Sequence, residues 1–240
     1  MKSLRNFTMA RVGLGRAGDA LPCRELLALR RDHAAARDAV HETLDVAGLR
    51  RECEKRGWRT VTLHSAARDR FEYLRRPDFG RILPEEALER LTPGAYDAAI
   101  VVADGLSALA VHRHAIAVLE RLISKLADWR LAPLILVEQG RVAIGDPIAQ
   151  RLRAGLSLVL VGERPGLTSP DSLGAYLTWA PAPGRTDADR NCISNIRPEG
   201  LGYDRAADRI FRLMSESRRL QLSGVSLKED GGAMLESRDA

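Results

Sequence analysis

Three glycines near the start of the chain give the most explicit chemical hint. Gly13, Gly15 and Gly18 in GLGRAG have the G-x-G-x-x-G spacing that lets a backbone approach a dinucleotide pyrophosphate. That spacing works when the glycines leave a buried strand and open directly into a helix. Here the preceding NFTMARV is short and broken by Arg11, Pro22 postpones the helix, and no second strand ending in an acidic residue follows. A nicotinamide-dependent oxidoreductase is therefore carried as the alternative, and a turn requiring positive φ is the reading adopted. Cys23, Cys53 and Cys192 are odd in number and widely spaced, which suits neither a disulfide framework nor a metal knuckle, so reduced thiols are expected. His112 lies within an apolar helical stripe and reads as a satisfied core histidine rather than a ligand.

Two other places display polar groups where an apolar run stops. AAIVVADGLSA passes from a strand-like run into a glycine-containing turn and a helix capped by Ser107, and LVLVGERPG ends at Gly162 with Glu163, Arg164 and Pro165 behind it. In open α/β sheets ligands gather at that carboxyl edge. The positioning elements read as strands in 61–67, 98–104, 134–138, 158–162 and 175–181, with helices at 85–91, 107–129, 147–153 and 205–220. Two adjacent apolar stripes on 107–129, Leu109 to Leu126 and Val111 to Leu122, predict a helix buried by more than one neighbour. Residues 22–56 predict one long helix or two joined ones. The fold class is α/β: a mainly parallel sheet with helices on both faces, Rossmann-like, preceded by a helical N-terminal segment. The expected organisation is an N-terminal segment over 1–57, an α/β domain over 58–228 and a frayed tail over 229–240.

Composition narrows the classes. At 240 residues, 45% hydrophobic and 29% charged, the chain has the make-up of a globular protein with a sizeable core. No apolar run reaches the roughly 18 residues of a membrane span, and the start lacks an export signal, so a cytoplasmic protein is expected. The net charge is +5, but 33 of the 37 basic residues are arginines scattered among acidic neighbours. An Arg-rich nucleic-acid-binding module is the second alternative, disfavoured because phosphate binding needs the charges on one face.

Four blocks then carry a resemblance: DGLSA (104–108), GRVAIGD (140–146), VGERPGL (161–167) and DRNCISNIRP (189–198), supported by ARVGLGRAG, DHAAARDAV and YLRRPDFGR. In order and spacing the chain resembles the small subunit of ethanolamine ammonia-lyase from about Thr8 to Lys228. The resemblance implies an adenosylcobalamin-dependent lyase that converts ethanolamine to acetaldehyde and ammonia by radical chemistry. It implies a β/α-barrel large subunit as partner, which binds ethanolamine and holds most of the chemistry, while this chain covers the cobalamin. It also implies a cofactor that keeps its own dimethylbenzimidazole, and the D-x-H-x-x-G string of the base-off class is absent, since Asp32 and His33 are adjacent.

Carried over by motif, the cofactor-binding positions are Val142, Glu163 and Cys192. Apolar or backbone contact is implied for Val142, acceptance of hydrogen bonds from corrin amides for Glu163, and a soft contact for Cys192. Beside these stand plainer readings: a sheet-edge valine, a surface ion pair of Glu163 with Arg164 or another arginine, and a structural thiol. No catalytic or metal-binding residue is assigned to this chain, and neither nucleic acid nor membrane is expected as a partner. Many family members are longer ahead of ARVGLGRAG, and in some that extension accompanies packaging into a bacterial microcompartment, which stays open here.

Overall fold

β-Branched and leucine-rich runs that are apolar on both faces can be buried only between two layers of helix, and that is how the middle of this chain folds. The structure is a computed structural model and describes residues 10–227. Helices α1 (Cys23–His41) and α2 (Val46–Glu54) precede β1 (Thr60–His64), followed by α3 (Arg70–Arg75), α4 (Glu85–Glu89) and β2 (Ala98–Ala103). A long helix follows, made of α5 (Ala108–Ala110), a π turn (Val111–Ala115) and α6 (Ile116–Lys125). Next come β3 (Leu134–Glu138), a 3-10 turn (Val142–Ile144) running into α7 (Gly145–Leu152), β4 (Leu156–Gly162), β5 (Leu173–Trp179), β6 (Arg190–Ile196) and α8 (Tyr203–Leu220).

The six strands lie in the order β1-β3-β2-β4-β5-β6. The first four are parallel, and β5 and β6 add an antiparallel edge. Alternation sorts the core into two layers. Ile100, Val102, Leu136, Leu158 and Leu160 face Val111, Val118 and Leu122. Val101, Ile135, Val137 and Val159 face Leu83, Ile148 and Leu152 on the other side. The steps β1→β2 and β3→β4 run in one direction across the sheet and β2→β3 runs back, so right-handed crossovers place their helices on opposite faces. The chain thus leaves the adjacent strands β2 and β3 toward opposite faces, which opens a crevice between their carboxyl ends.

The α/β class with a mainly parallel sheet stands, and several details differ from expectation. Residues 22–56 form two helices, one of the two arrangements expected: the first ends at His41, and Asp45 caps the second by accepting from the Gly48 amide at 2.8 Å. The stripe Val111, Ala115, Val118 and Leu122 is buried against the sheet, while in the Leu109–Leu126 stripe Leu119 and Leu126 are buried and Ile116 and Ile123 only partly covered. His112 is satisfied at both nitrogens, by the Asp45 amide at 2.8 Å and Glu42 Oε1 at 3.1 Å, yet it sits at the core's margin and ties the α1–α2 link to the long helix. β6 was not foreseen as a strand. Gly13, Gly15 and Gly18 do take positive φ, +61°, +80° and +63°, in a coil that follows no strand among the described residues. The dinucleotide reading loses its structural premise there. The expected tail, 229–240, lies outside the described residues. Among those described, no helix is long and apolar enough to cross a membrane.

Candidate binding groove

The crevice between β2 and β3 is built around a buried carboxylate. Asp104 follows β2 and has no exposure; its oxygens accept from the Gln139 and Gly140 amides, both at 3.0 Å, and from Arg70 Nη1 at 3.3 Å. Arg70 also donates to Gly105 O and, through Nε, to Val40 O. Close chain approach needs glycine here: a Cβ on Gly162 would lie 2.0 Å from the Ser107 carbonyl oxygen. Burial pushes the Asp104 carboxyl up to about 6 against the pull of Arg70 and the amides, and burial likewise pulls the Arg70 pKa down. Tyr73 lies between two guanidinium groups, Arg70 at 4.8 Å and Arg141 at 4.5 Å from its ring centre.

From this crevice a strip runs past the end of β4 to β6, whose residues Cys192, Ser194 and Asn195 are exposed. Glu163, at the end of β4, ties three strand ends together. It accepts from the Ser172 hydroxyl, the Ser194 hydroxyl at 2.5 Å and the Asn195 amide at 3.1 Å. Its partners are therefore hydroxyls and an amide, and the surface ion pair with Arg164 is not formed. Gly174 makes room for this carboxylate, since a Cβ there would come within 2.9 Å of Glu163 Oε1. Cys192 stands opposite Tyr176 in the β5–β6 register. The residue is exposed, but its thiol lies against Tyr176: burial raises its pKa, with Glu163 adding to the rise and hydrogen bonding from Tyr176 opposing it. A neutral thiol results, with no thiolate character. Val142 begins the 3-10 turn ahead of α7 and, with Tyr176, lines a cleft of about 470 Å³ that continues the strip.

Val142, Glu163 and Cys192 thus fall on one strip, joined through Tyr176 and Gly174. Cys192 sits within strand β6 and stands on the sheet's face, away from the carboxyl edge where Asp104 and Glu163 lie. The reason is that DRNCISNI alternates polar and apolar residues, with Ile193 buried beneath and Cys192 and Ser194 open above. Other clefts lie away from this strip; that lined by Trp58, Arg59 and Leu134 is at the opposite, amino end of the strands.

Sequence reasoning missed Arg70, Tyr176 and the bidentate pair Arg190–Asp146, whose side chains meet at 2.8 and 2.6 Å beside the cleft. It also missed His114. This buried ring meets the Tyr203 hydroxyl at 2.8 Å and Asp171 at 3.4 Å, and burial lowers its pKa although Asp171 opposes. His114 and Asp171 anchor the far end of the loop that begins at Glu163. Tyr203→Phe removes one partly buried hydrogen bond and should cost about 1 kcal/mol, lowering Tm by roughly 2–4 °C in a thermal melt. A loss above about 3 kcal/mol would mean that Tyr203 also holds the packing of α8.

The fold defines a class: an α/β protein whose mainly parallel sheet ends in an antiparallel edge with an exposed, hydrogen-bonding β6. Comparison with known proteins is specific. The family model described as ethanolamine ammonia-lyase light chain (EutC) matches residues 1–228. The ethanolamine ammonia-lyase small subunit of Pseudomonas aeruginosa (strain LESB58) is 55% identical, with 95% of this chain aligned to 86% of that one. That of Ralstonia nicotianae is 53% identical (95% and 87%), and that of Pseudomonas putida (strain ATCC 47054) 52% identical (99% and 91%). The chain belongs to the ethanolamine ammonia-lyase light-chain family.

Proposed function

We propose that this chain grips adenosylcobalamin at its interface with an ethanolamine ammonia-lyase large subunit, and that the two together convert ethanolamine to acetaldehyde and ammonia. The observation that carries the reading is the strip itself: three residues chosen by motif from separate parts of the sequence are linked through Tyr176, which shares a cleft with Val142 and stands opposite Cys192 near Glu163. The residues present suit the group. A flat, amide-fringed macrocycle needs small side chains for close approach and a few placed polar atoms for orientation. Cys192 is small and exposed, Val142 supplies an apolar edge, and Glu163 Oε1 receives only the Ser194 hydroxyl, leaving capacity for one more donor. Because Cys192, Ser194 and Asn195 of β6 are exposed, a second protein is needed to enclose a macrocycle there, and the large subunit would supply it.

When bound, adenosylcobalamin supplies the radical by cleavage of its cobalt–carbon bond. The chain's own residues bind, orient and exclude water. Glu163 is held in place by its three donors, Cys192 stays a neutral contact, and Tyr176, whose pKa burial pushes up, stays protonated as a donor. None of them is placed as an acid, base or nucleophile toward substrate, which is bound mainly by the large subunit.

The test is reconstitution. Purified alone, the chain should show no deamination of ethanolamine; mixed with its large subunit, it should restore activity and retain a corrinoid absorption spectrum through gel filtration. Turnover by the isolated chain, or full corrinoid retention by the large subunit without it, would sink the proposal. Quenching of tryptophan fluorescence by NADH and not by cobalamin would favour the nicotinamide alternative.

A further inference from the structure

We propose that the cleft beside Val142 is a phosphate clamp, and that it takes the phosphodiester of the cofactor's nucleotide tail. The inference rests on the cobalamin reading above and names a part of the ligand and residues which that reading does not include. The cleft is unusually cationic: Arg81, Arg141, Arg185 and Arg190 all line it. Two of these charges are committed, Arg190 to Asp146 and Arg185 to Asp189 at 3.5 Å. Arg81 and Arg141 have no carboxylate within 4 Å among the described residues, and the acidic residue on the wall, Asp187, is exposed at its outer side.

Arg141 is the more telling. Its Nε is buried without a hydrogen-bond partner, and its guanidinium shares the Tyr73 ring with Arg70, whose Nη2 is also buried and unpartnered. Two cations are stacked on one ring with Asp104 as their nearby carboxylate, and that carboxylate is bonded to Arg70. The surplus positive charge of Arg81 and Arg141, both on the cleft wall, calls for an anion. The backbone adds to this. Val142 and Ala143 open the helical segment that continues through α7, so first-turn amides without intrahelical acceptors lie on the same wall, at the positive end of the helix. Planar guanidinium forks beside helix-start amides match a phosphate's oxygens better than they match neutral amides, which need donors and acceptors in equal measure. The position fits as well. Arg141 immediately precedes Val142, so a macrocycle lying along Val142 and Cys192 brings its tail within reach of this cleft.

The test uses the assembled heteromer carrying Arg141→Met or, at the exposed position, Arg81→Met. Each variant should weaken adenosylcobalamin binding in equilibrium dialysis by about tenfold or more, the worth of one charge-assisted hydrogen bond. Each should also move the ³¹P resonance of bound coenzyme back toward its free value. Binding of adenosylcobinamide, which lacks the phosphate, should be the same in wild type and variants. A ³¹P resonance that the variants leave in place, or an equal loss of adenosylcobinamide binding, would overturn the clamp while leaving the cobalamin reading intact. If the wild-type complex retains no corrinoid at all, the cobalamin reading fails. Inorganic phosphate then decides for the cleft: ³¹P line broadening by wild type but not by Arg141→Met keeps an anion site, and no broadening by either removes it.

Discussion

Asp104→Asn is expected to destabilise the chain by about 2–3 kcal/mol, because an amide nitrogen cannot accept as a carboxyl oxygen does, so one buried backbone N–H loses its partner. The two side chains are 0% and 8% exposed, so solvent cannot take over the lost interaction. The substitution turns one carboxylate oxygen into a donor facing a donor, since both oxygens accept from backbone amides, those of Gln139 and Gly140. Burial disfavours the charged form of both partners, so the pair gains little over an apolar replacement of both. Breaking it from one side is what costs most. Combining Asp104→Asn with Arg70→Met should therefore cost clearly less than the two single changes added together. Thermal and urea unfolding measure this, with a Tm loss on the order of 10 °C for the single variant. A loss below about 1 kcal/mol would mean that the crevice is hydrated and the pair exposed in solution. The pH dependence has a definite sign. With its folded pKa raised to about 6, Asp104 binds its proton more tightly in the folded state, so its contribution to stability is largest in acid. That contribution falls as pH rises from about 4 to about 6 and is level above. Asp104→Asn should erase that part of the slope.

How much of this was legible beforehand follows from what each feature depends on. β2, β3 and β4 were readable because AAIVVA, LILVE and LVLVG are apolar on both faces, which few structures except a covered parallel strand satisfy. β6 was not, because an edge strand with one open face alternates polar and apolar residues over only seven positions, and RNCISNI reads equally as a loop. The π turn at Val111–Ala115 leaves no mark in composition, and its effect was visible only as the doubled apolar stripe. The site divides in the same way. The turn after β2 and the end of β4 were read as ligand-facing from strand endings alone, while Val142, Glu163 and Cys192 were named from motif resemblance. Arg70 and Asp104 are 34 residues apart and Arg190 and Asp146 are 44 apart. Neither pairing follows from local spacing, because crossovers that bring distant segments to one edge depend on strand order, and order is set by packing of the whole sheet.

Glu163→Ala should raise the apparent Kd of the assembled enzyme for adenosylcobalamin by about 10- to 100-fold, the equivalent of one to two charge-assisted hydrogen bonds. Two losses add up in that figure. On the proposed reading, the variant gives up the carboxylate's direct acceptance of a corrin amide. It also releases the Ser172, Ser194 and Asn195 donors, so the ends of β5 and β6 are no longer held to β4. Smaller changes separate the two. Ser194→Ala removes one of the donors that hold Glu163 and leaves both carboxylate oxygens able to accept, so affinity should fall less than about threefold. Glu163→Gln keeps the shape but turns one oxygen into a donor. If the amide nitrogen takes the Oε2 place it faces Ser172 and Asn195, so it must turn toward Ser194, whose hydroxyl can reverse and accept. The position then offers the macrocycle an N–H in place of an oxygen. Glu163→Gln should for that reason resemble Glu163→Ala in affinity while resembling wild type in thermal stability. Were Glu163 only a strut between strands, the order would reverse: affinity would follow Tm across the three variants, and glutamine would bind the coenzyme nearly as well as glutamate.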